Sequence, residues 1–182
     1  RKNHSIEKKS KIILFRGNDL AKNGLGYLFD AISRLYEKNF TLIIESNSQQ
    51  IHQLRTKMEK ANLGYPYILL ENYENIDELF IASDIFILPT YLKYFAVDVI
   101  RAMSYKNAVF LMEQNHASEV VDVFSLIQND ADRSTSFKLD SLLINKEELK
   151  NIQKENYNKA LEYTLDKSIE KLIKIIKESF DI

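Results

Sequence analysis

Cysteine is absent, so the chain can build no disulfide framework, no thiolate metal site and no thiol nucleophile. That absence suits a reducing compartment, and cytoplasmic residence is the expectation. Histidine is scarce: His4, His52 and His116 lie far apart, and no pair has metal-ligand spacing. His52 is expected on a solvated helix face, while His116 follows a strand-like run and is the one histidine placed to be tested. No apolar run approaches the roughly 20 residues that span a bilayer. The opening "RKNHSIEKKSK" has no hydrophobic centre of a signal peptide. Membrane contact is therefore expected to be peripheral at most. Neither charge sign is in excess, with 25 Lys plus Arg against 26 Asp plus Glu, which points away from a nucleic-acid partner. Glycine is rare too, at 4 residues, which limits close backbone approaches.

What is present suits one domain over 1–182, with a basic lead-in at 1–10 and closing helices over 138–182. The chain opens on Arg1, so it reads as a piece of something longer. "KIILFRG" (11–17) is a continuous apolar run stopped by glycine, the pattern of a strand buried on both faces. "GLGYLFDAISRLYEKN" then places Leu25, Leu28, Phe29, Ile32, Leu35 and Tyr36 on one helical stripe. The pair recurs. "FTLIIES" precedes "QQIHQLRTKMEKAN"; "YPYILLEN" precedes "IDELFIAS"; "DIFILPT" precedes "FAVDVIRAMSYK"; "AVFLME" precedes "HASEVVDV". "FSLIQ" reads as a final edge strand, and "QNDADRSTS" (128–136) as a polar loop. From Lys138 onward two or three helices follow, with breaks near Asn145 and Thr164; in the last, Ile169, Leu172, Ile173 and Ile176 form an apolar stripe opposite a solvated lysine face. Alternating strands and helices imply right-handed crossovers and a parallel, Rossmann-like sheet with helices on both faces. Ligands of such α/β sheets bind beyond the carboxyl ends of the strands, here the loops after Phe15, Glu45, Leu70, Leu88 and Glu113.

Two of these loops can carry chemistry. "FRGNDLAKNG" offers backbone N–H groups and a helix terminus to a phosphate, with Lys22 as a mobile cation. An ordinary turn with Gly17 at positive φ is the alternative reading, and the dinucleotide GxGxxG pattern is missing. "PTYLKYFAVDVIRAM" follows the fourth strand; a helix starting near Phe95 would aim the N–H groups of Phe95, Ala96 and Val97 out of the ligand edge. Asp98 and Arg101 are three apart on that helix, spaced to pair with each other. "DAD" (130–132) has the form of a metal-holding carboxylate pair but sits in a polar loop, so no metal is expected. No serine lies in a nucleophile-elbow context. An aspartate-phosphorylated receiver would need clustered acids after the first strand and an aspartate closing the third; only Asp19 is near the first position and "ILLENYEN" offers none at the second.

Taken together, "ILFRGNDLAKNGLGYLFDAI", "FTLII" and "NIDELFIASDIFILPTYLKYFAVDVIRAMSYKNAVF" resemble the carboxyl-terminal half of family-4 (group 1) retaining glycosyltransferases. Within that family the "GND" opening and "PTYLKY" are similar to the lipopolysaccharide core glucosyltransferase I type. The resemblance runs from about Lys11 to Lys177. It implies a GT-B architecture of two facing Rossmann-like domains. The carboxyl-terminal one binds a nucleotide-sugar donor such as UDP-glucose, and the amino-terminal one, missing here, supplies much of the site for a glycan or lipid-linked acceptor. No metal or other cofactor is implied. The family's first loop falls on Gly17, Asn18, Lys22 and Asn23, where its usual lysine has become asparagine. Its paired glutamates, which accept from hydroxyls of the donor sugar and ribose, fall on Lys93 and Arg101. The aromatic-glycine turn between them falls on Phe95 and Ala96, and the following glycine and proline on Lys106 and Ala108.

The resemblance assigns catalytic positions to Lys22, Lys93 and Arg101, and donor contacts to Gly17, Asn18, Asn23, Tyr94, Phe95, Ala96 and Val97. Lysine and arginine only donate, so a site with both carboxylates reversed keeps its attraction for a diphosphate and grips hydroxyls less well. Two readings follow. One is transfer of a sugar to lipopolysaccharide or another surface glycan at the inner membrane face; the other is a degenerate, non-catalytic scaffold or interaction module. The sugar, nucleotide and acceptor are not legible, nor is the oligomeric state.

Overall fold

The computed structural model describes residues 10–61 and 63–180; the basic lead-in before Ser10, with His4, lies outside them. Six parallel strands form one sheet: β1 (Lys11–Arg16), β2 (Phe40–Ser46), β3 (Tyr67–Glu71), β4 (Ile85–Leu88), β5 (Ala108–Met112) and β6 (Leu126–Ile127). Their spatial order is β3-β2-β1-β4-β5-β6. The chain therefore turns from one half of the sheet to the other between β1 and β4, where a crevice opens at the carboxyl ends.

Strand residues alternate between two cores. Ile13, Phe15, Leu42, Ile44, Ile87 and Phe110 face one; Ile12, Leu14, Ile43, Phe86, Leu88 and Val109 face the other. On the first lie α1 (Leu25–Ser33) and α2 (Ser48–Lys60) and, from the closing segment, α5 (Ser134–Ile144). The second is covered by α3 (Ile76–Ala82) and α4 (Val97–Ser104). α6 (Lys146–Ala160) joins both, burying Leu149 in the first core and Ala160 in the second. It crosses the amino ends of the strands, where Gln153 Nε2 donates to Asp84 O at 3.0 Å and Asn156 Nδ2 to Asn107 O at 3.0 Å. The last helix, α7 (Leu165–Phe180), is different: Leu165, Ile169, Leu172, Ile173 and Ile176 are all exposed.

Several expectations are corrected. "HASEVVDV" is not a crossover helix: a five-residue 3₁₀ helix (His116–Val120) capped by Asn115 ends at extended Val121, and a second short one (Val123–Ser125) starts afresh with Asp122 accepting from Phe124 N. α1 ends at Ser33, so Tyr36 leaves the helical stripe and is exposed. α5 begins at Ser134, inside the stretch read as loop. The expected breaks near Asn145 and Thr164 are present: Asn145 caps α6 by accepting from Glu147 N and Glu148 N, and Thr164 is extended. β6 is the edge strand read from "FSLIQ".

Candidate functional site at the sheet crossover

The loops after β1 (17–24) and β4 (89–96) meet across the crevice, joined by backbone and side-chain hydrogen bonds. Lys22 O accepts from Tyr91 N at 3.0 Å, and buried Asn23 accepts through Oδ1 from Thr90 Oγ1 at 3.2 Å. Gly24 is left-handed (φ 87°), and a Cβ there would fall 1.9 Å from Pro89 O. Gly17 serves otherwise than expected. Its φ is not positive; what it allows is close approach, since a Cβ would lie 1.9 Å from Asn23 Nδ2. The β2–α2 junction braces the same loop, with Ser46 Oγ donating to Gly17 O at 2.6 Å and Asn47 Nδ2 to Asn18 O at 2.9 Å. On the other side buried Asn115 donates through Nδ2 to Leu92 O at 2.8 Å and accepts from Ala96 N at 3.4 Å.

Between the loops lies a cavity of about 270 Å³ whose wall includes Gly17, Asn18, Asn23 and Tyr94, all expected there, and also Arg16, Asp19, Leu92 and Asp98. Arg16 is the anchor. Its Nε donates to Glu45 Oε2 at 3.1 Å and its Nη1 to Asp98 Oδ2, so the ends of β1 and β2 and the first turn of α4 are tied through one guanidinium. The expected Asp98–Arg101 pair is not formed: Arg101 Nε donates instead to Asp77 Oδ1 at 2.6 Å, at the start of α3. That bond holds the Asp77 carboxyl below its ordinary value and pushes Arg101 up. Burial, then the Asp98 charge, raises the Tyr94 phenol, while Arg16 opposes them.

The remaining expected residues lie outside the cavity wall. Lys22 is exposed, its Nζ 3.3 Å from Asp19 Oδ2, and its N–H reaches Asp19 Oδ1 at 3.1 Å. Lys93 is exposed and has no ion pair among the described residues. Phe95 packs on the second core. α4 starts at Val97 rather than near Phe95, because Phe95 is drawn into that core and the first helical bond runs from Val99 N to Ala96 O. Ala96 has φ −77°, which alanine adopts without strain, whereas Lys106 keeps a left-handed φ of 60° where the resemblance puts glycine. Lys106 Nζ lies 4.9 Å from the Tyr157 ring centroid.

No group of three or more His, Cys, Asp or Glu side chains placed to hold a metal ion occurs among the described residues. Asp132 is a turn residue, accepting from Gln128 N and Ser134 N. Burial pushes its carboxyl up, but the bonds from Ser134 and Gln128 outweigh that and leave it below its ordinary value. His52 and His116 are exposed. Arg16 and Glu45 were missed as site residues, although a signal existed: each follows the apolar stretch of its strand, Ile12–Phe15 and Leu42–Ile44, at the ligand edge, and the β1–β2 register makes them direct partners.

The fold is shared with solved proteins that include glycosyltransferases. The chain superposes on Anabaena HepE, solved with UDP and glucose, with a TM-score of 0.82 at 14% identity, covering 98% of this chain and 51% of that one. WaaG, a glycosyltransferase involved in lipopolysaccharide biosynthesis, gives 0.75 at 15% identity over 88% of this chain and 45% of its own. The catalytic domain of cholesterol-α-glucosyltransferase from Helicobacter pylori gives 0.70 at 19% identity over 85% and 99%. This chain thus spans about half the length of HepE and WaaG. Its Rossmann-like sheet is that of the carboxyl-terminal half of GT-B glycosyltransferases. No curated protein matches the sequence. The model of the family "Glycosyl transferases group 1" matches residues 1–159. With most of its length matched, and with the crevice between β1 and β4 built by the loops that carry the resemblance, the chain belongs to the group 1 glycosyltransferases.

Proposed function

We propose that this domain holds the nucleotide-diphosphate sugar of a retaining glycosyltransferase between loops 17–24 and 89–96, for transfer to a lipopolysaccharide or other surface-glycan acceptor. The observation that carries the reading is the cavity at the crossover of the sheet, where Gly17 lets the β1 loop approach closely and Asn18, Asn23 and Tyr94 form the wall. Gly17, Asn18 and Asn23 would face the diphosphate, with Lys22 leaving Asp19 to neutralise the leaving group. Phe95, Ala96 and Val97 shape the entry to α4; the exposed start of that helix, at Val97, favours negative charge. Lys93 stands at the sugar position and Arg101 at the ribose position. An amino-terminal domain would supply the acceptor site, consistent with the doubled length of HepE and WaaG. No described helix is long and apolar enough to cross a membrane, which fits peripheral work at the cytoplasmic face of an inner membrane.

Two contacts favour the second reading, a non-catalytic module. Arg101 is engaged by Asp77, and the Ala96 N–H is taken by Asn115, so two expected donor contacts are occupied. Calorimetry with uridine diphosphate separates the readings. Donor binding predicts saturable heat at submillimolar to millimolar concentration, weakened by Lys93→Glu with Arg101→Glu. Absence of heat at millimolar nucleotide with the domain folded would favour the module. Binding gained by the double reversal would show that the two cations disable the pocket.

A further inference from the structure

Within the donor reading, on which this step rests, we infer that Asp98, oriented by Arg16, is the carboxylate that accepts from the ribose hydroxyls of the nucleotide. A diol is gripped best by an ionised carboxylate, which accepts two hydrogen bonds without rearrangement. Lys93 and Arg101 cannot accept at all. Of the aspartates lining the cavity, Asp19 is the more exposed, at 42%, and is held only within its own loop, Oδ1 accepting from the Lys22 N–H, so no neighbouring element orients its Oδ2 once Lys22 turns to the diphosphate. Asp98 has one oxygen engaged by Arg16, and its Oδ1 accepts from no donor among the described residues.

Its setting fits the task. The Asp98 side chain is 28% exposed, open enough to meet a ligand and enclosed enough to be held in one orientation. Arg16 cannot turn away, because Glu45, at 7% exposure, grips its Nε from the other side. Arg16 carries one positive charge against the two carboxylates of Glu45 and Asp98, so the cluster keeps one net negative charge and favours a diphosphate lying away from it, toward Lys22. Tyr94 shares the wall and senses the Asp98 charge, so it stands beside the same space. Hydroxyl recognition has thus moved three residues along α4, from the position of Arg101 to that of Asp98, one turn nearer the helix start.

The test compares uridine diphosphate with its 2′,3′-dideoxy analogue by calorimetry on the native protein, Asp98→Ala and Asp98→Asn, with thermal melts confirming that each is folded. The native protein should prefer the diol about tenfold or more, the loss expected for a charge-assisted hydrogen bond. Asp98→Ala should weaken uridine diphosphate by about that factor and leave the dideoxy analogue unchanged, bringing the ratio near one. If Asp98→Ala does not fold, a fall of the same ratio in Asp98→Asn decides the matter. A preference that survives in a folded variant overturns the role of Asp98 and leaves the donor reading standing. Failure of the folded native protein to bind either nucleotide at millimolar concentration overturns both.

Discussion

Arg16 and Arg101 each hold an aspartate, but they do so in different surroundings. Arg16 closes β1 at 15% exposure and is gripped by Glu45 at 7% and Asp98 at 28%. Arg101 sits on the shoulder of α4 at 41%, opposite Asp77 at 46%. The inner arginine ties three elements around the cavity; the outer one ties two helices in reach of water. Resemblance draws the eye to Arg101, because it stands where a glutamate is expected. Burial and connectivity give the larger structural weight to Arg16, since a charge pair removed from water is costly to break and an exposed one contributes little.

The inner arrangement depends on the seam between the two loops, so the largest expected loss comes from breaking that seam. Gly24→Ala would force a left-handed alanine and drive its Cβ into Pro89 O, 1.9 Å away. The expected cost is about 3 kcal/mol, combining the left-handed penalty with overpacking. Chemical denaturation measures it. A loss below about 1 kcal/mol would mean that the β4 loop is free to withdraw, and the contrast between a braced interior and a solvated shoulder would weaken.

Next in size is Arg16→Ala. It leaves Glu45 and Asp98 without their shared cation, with an expected loss of about 2 kcal/mol, moderated by the partial exposure of Asp98. Double-mutant cycles sharpen the comparison. Arg16 with Asp98 should show clear coupling, and Arg101 with Asp77 a distinctly smaller one. Equal couplings in the two cycles would erase the distinction drawn above.

How far could the sequence alone foresee this contrast? The continuous apolar runs from Ile12 to Phe15 and from Leu42 to Ile44 identify buried parallel strands, since only a sheet covered on both faces excludes water from successive residues. Gly17 and the asparagines after it locate one wall of the crevice. What stayed hidden is long-range partner choice. Spacing on a helix favours Asp98 with Arg101, yet β1 brings Arg16 to Asp98 and α3 brings Asp77 to Arg101, contacts 82 and 24 residues apart in the chain. "HASEVVDV" shows the opposite weakness: its apolar spacing suits one helix, but Asn115 and Asp122 cap the starts of two separate short 3₁₀ segments, with the chain extended at Val121 between them. Gly24 looked like part of the α1 start, and only the meeting of two loops reveals why no side chain fits there.

The smallest expected effect belongs to the outer pair and is best read through pH. The hydrogen bond from Arg101 holds Asp77 below its ordinary value of 3.8 in the folded state, whereas in the unfolded chain it titrates normally. The folded form therefore favours the ionised carboxylate, and the resulting stabilisation is present above the unfolded value and lost as pH falls through the lowered folded one. Asp77→Asn should melt slightly below the native protein at pH 7, and the gap should close as pH falls below about 4. Melting curves of the two proteins across this range supply the check. A gap that persists in acid would assign the effect to packing at the start of α3, not to charge. In that case the outer contact would be structural in its own right, and the shoulder of α4 would be held more firmly than its exposure suggests.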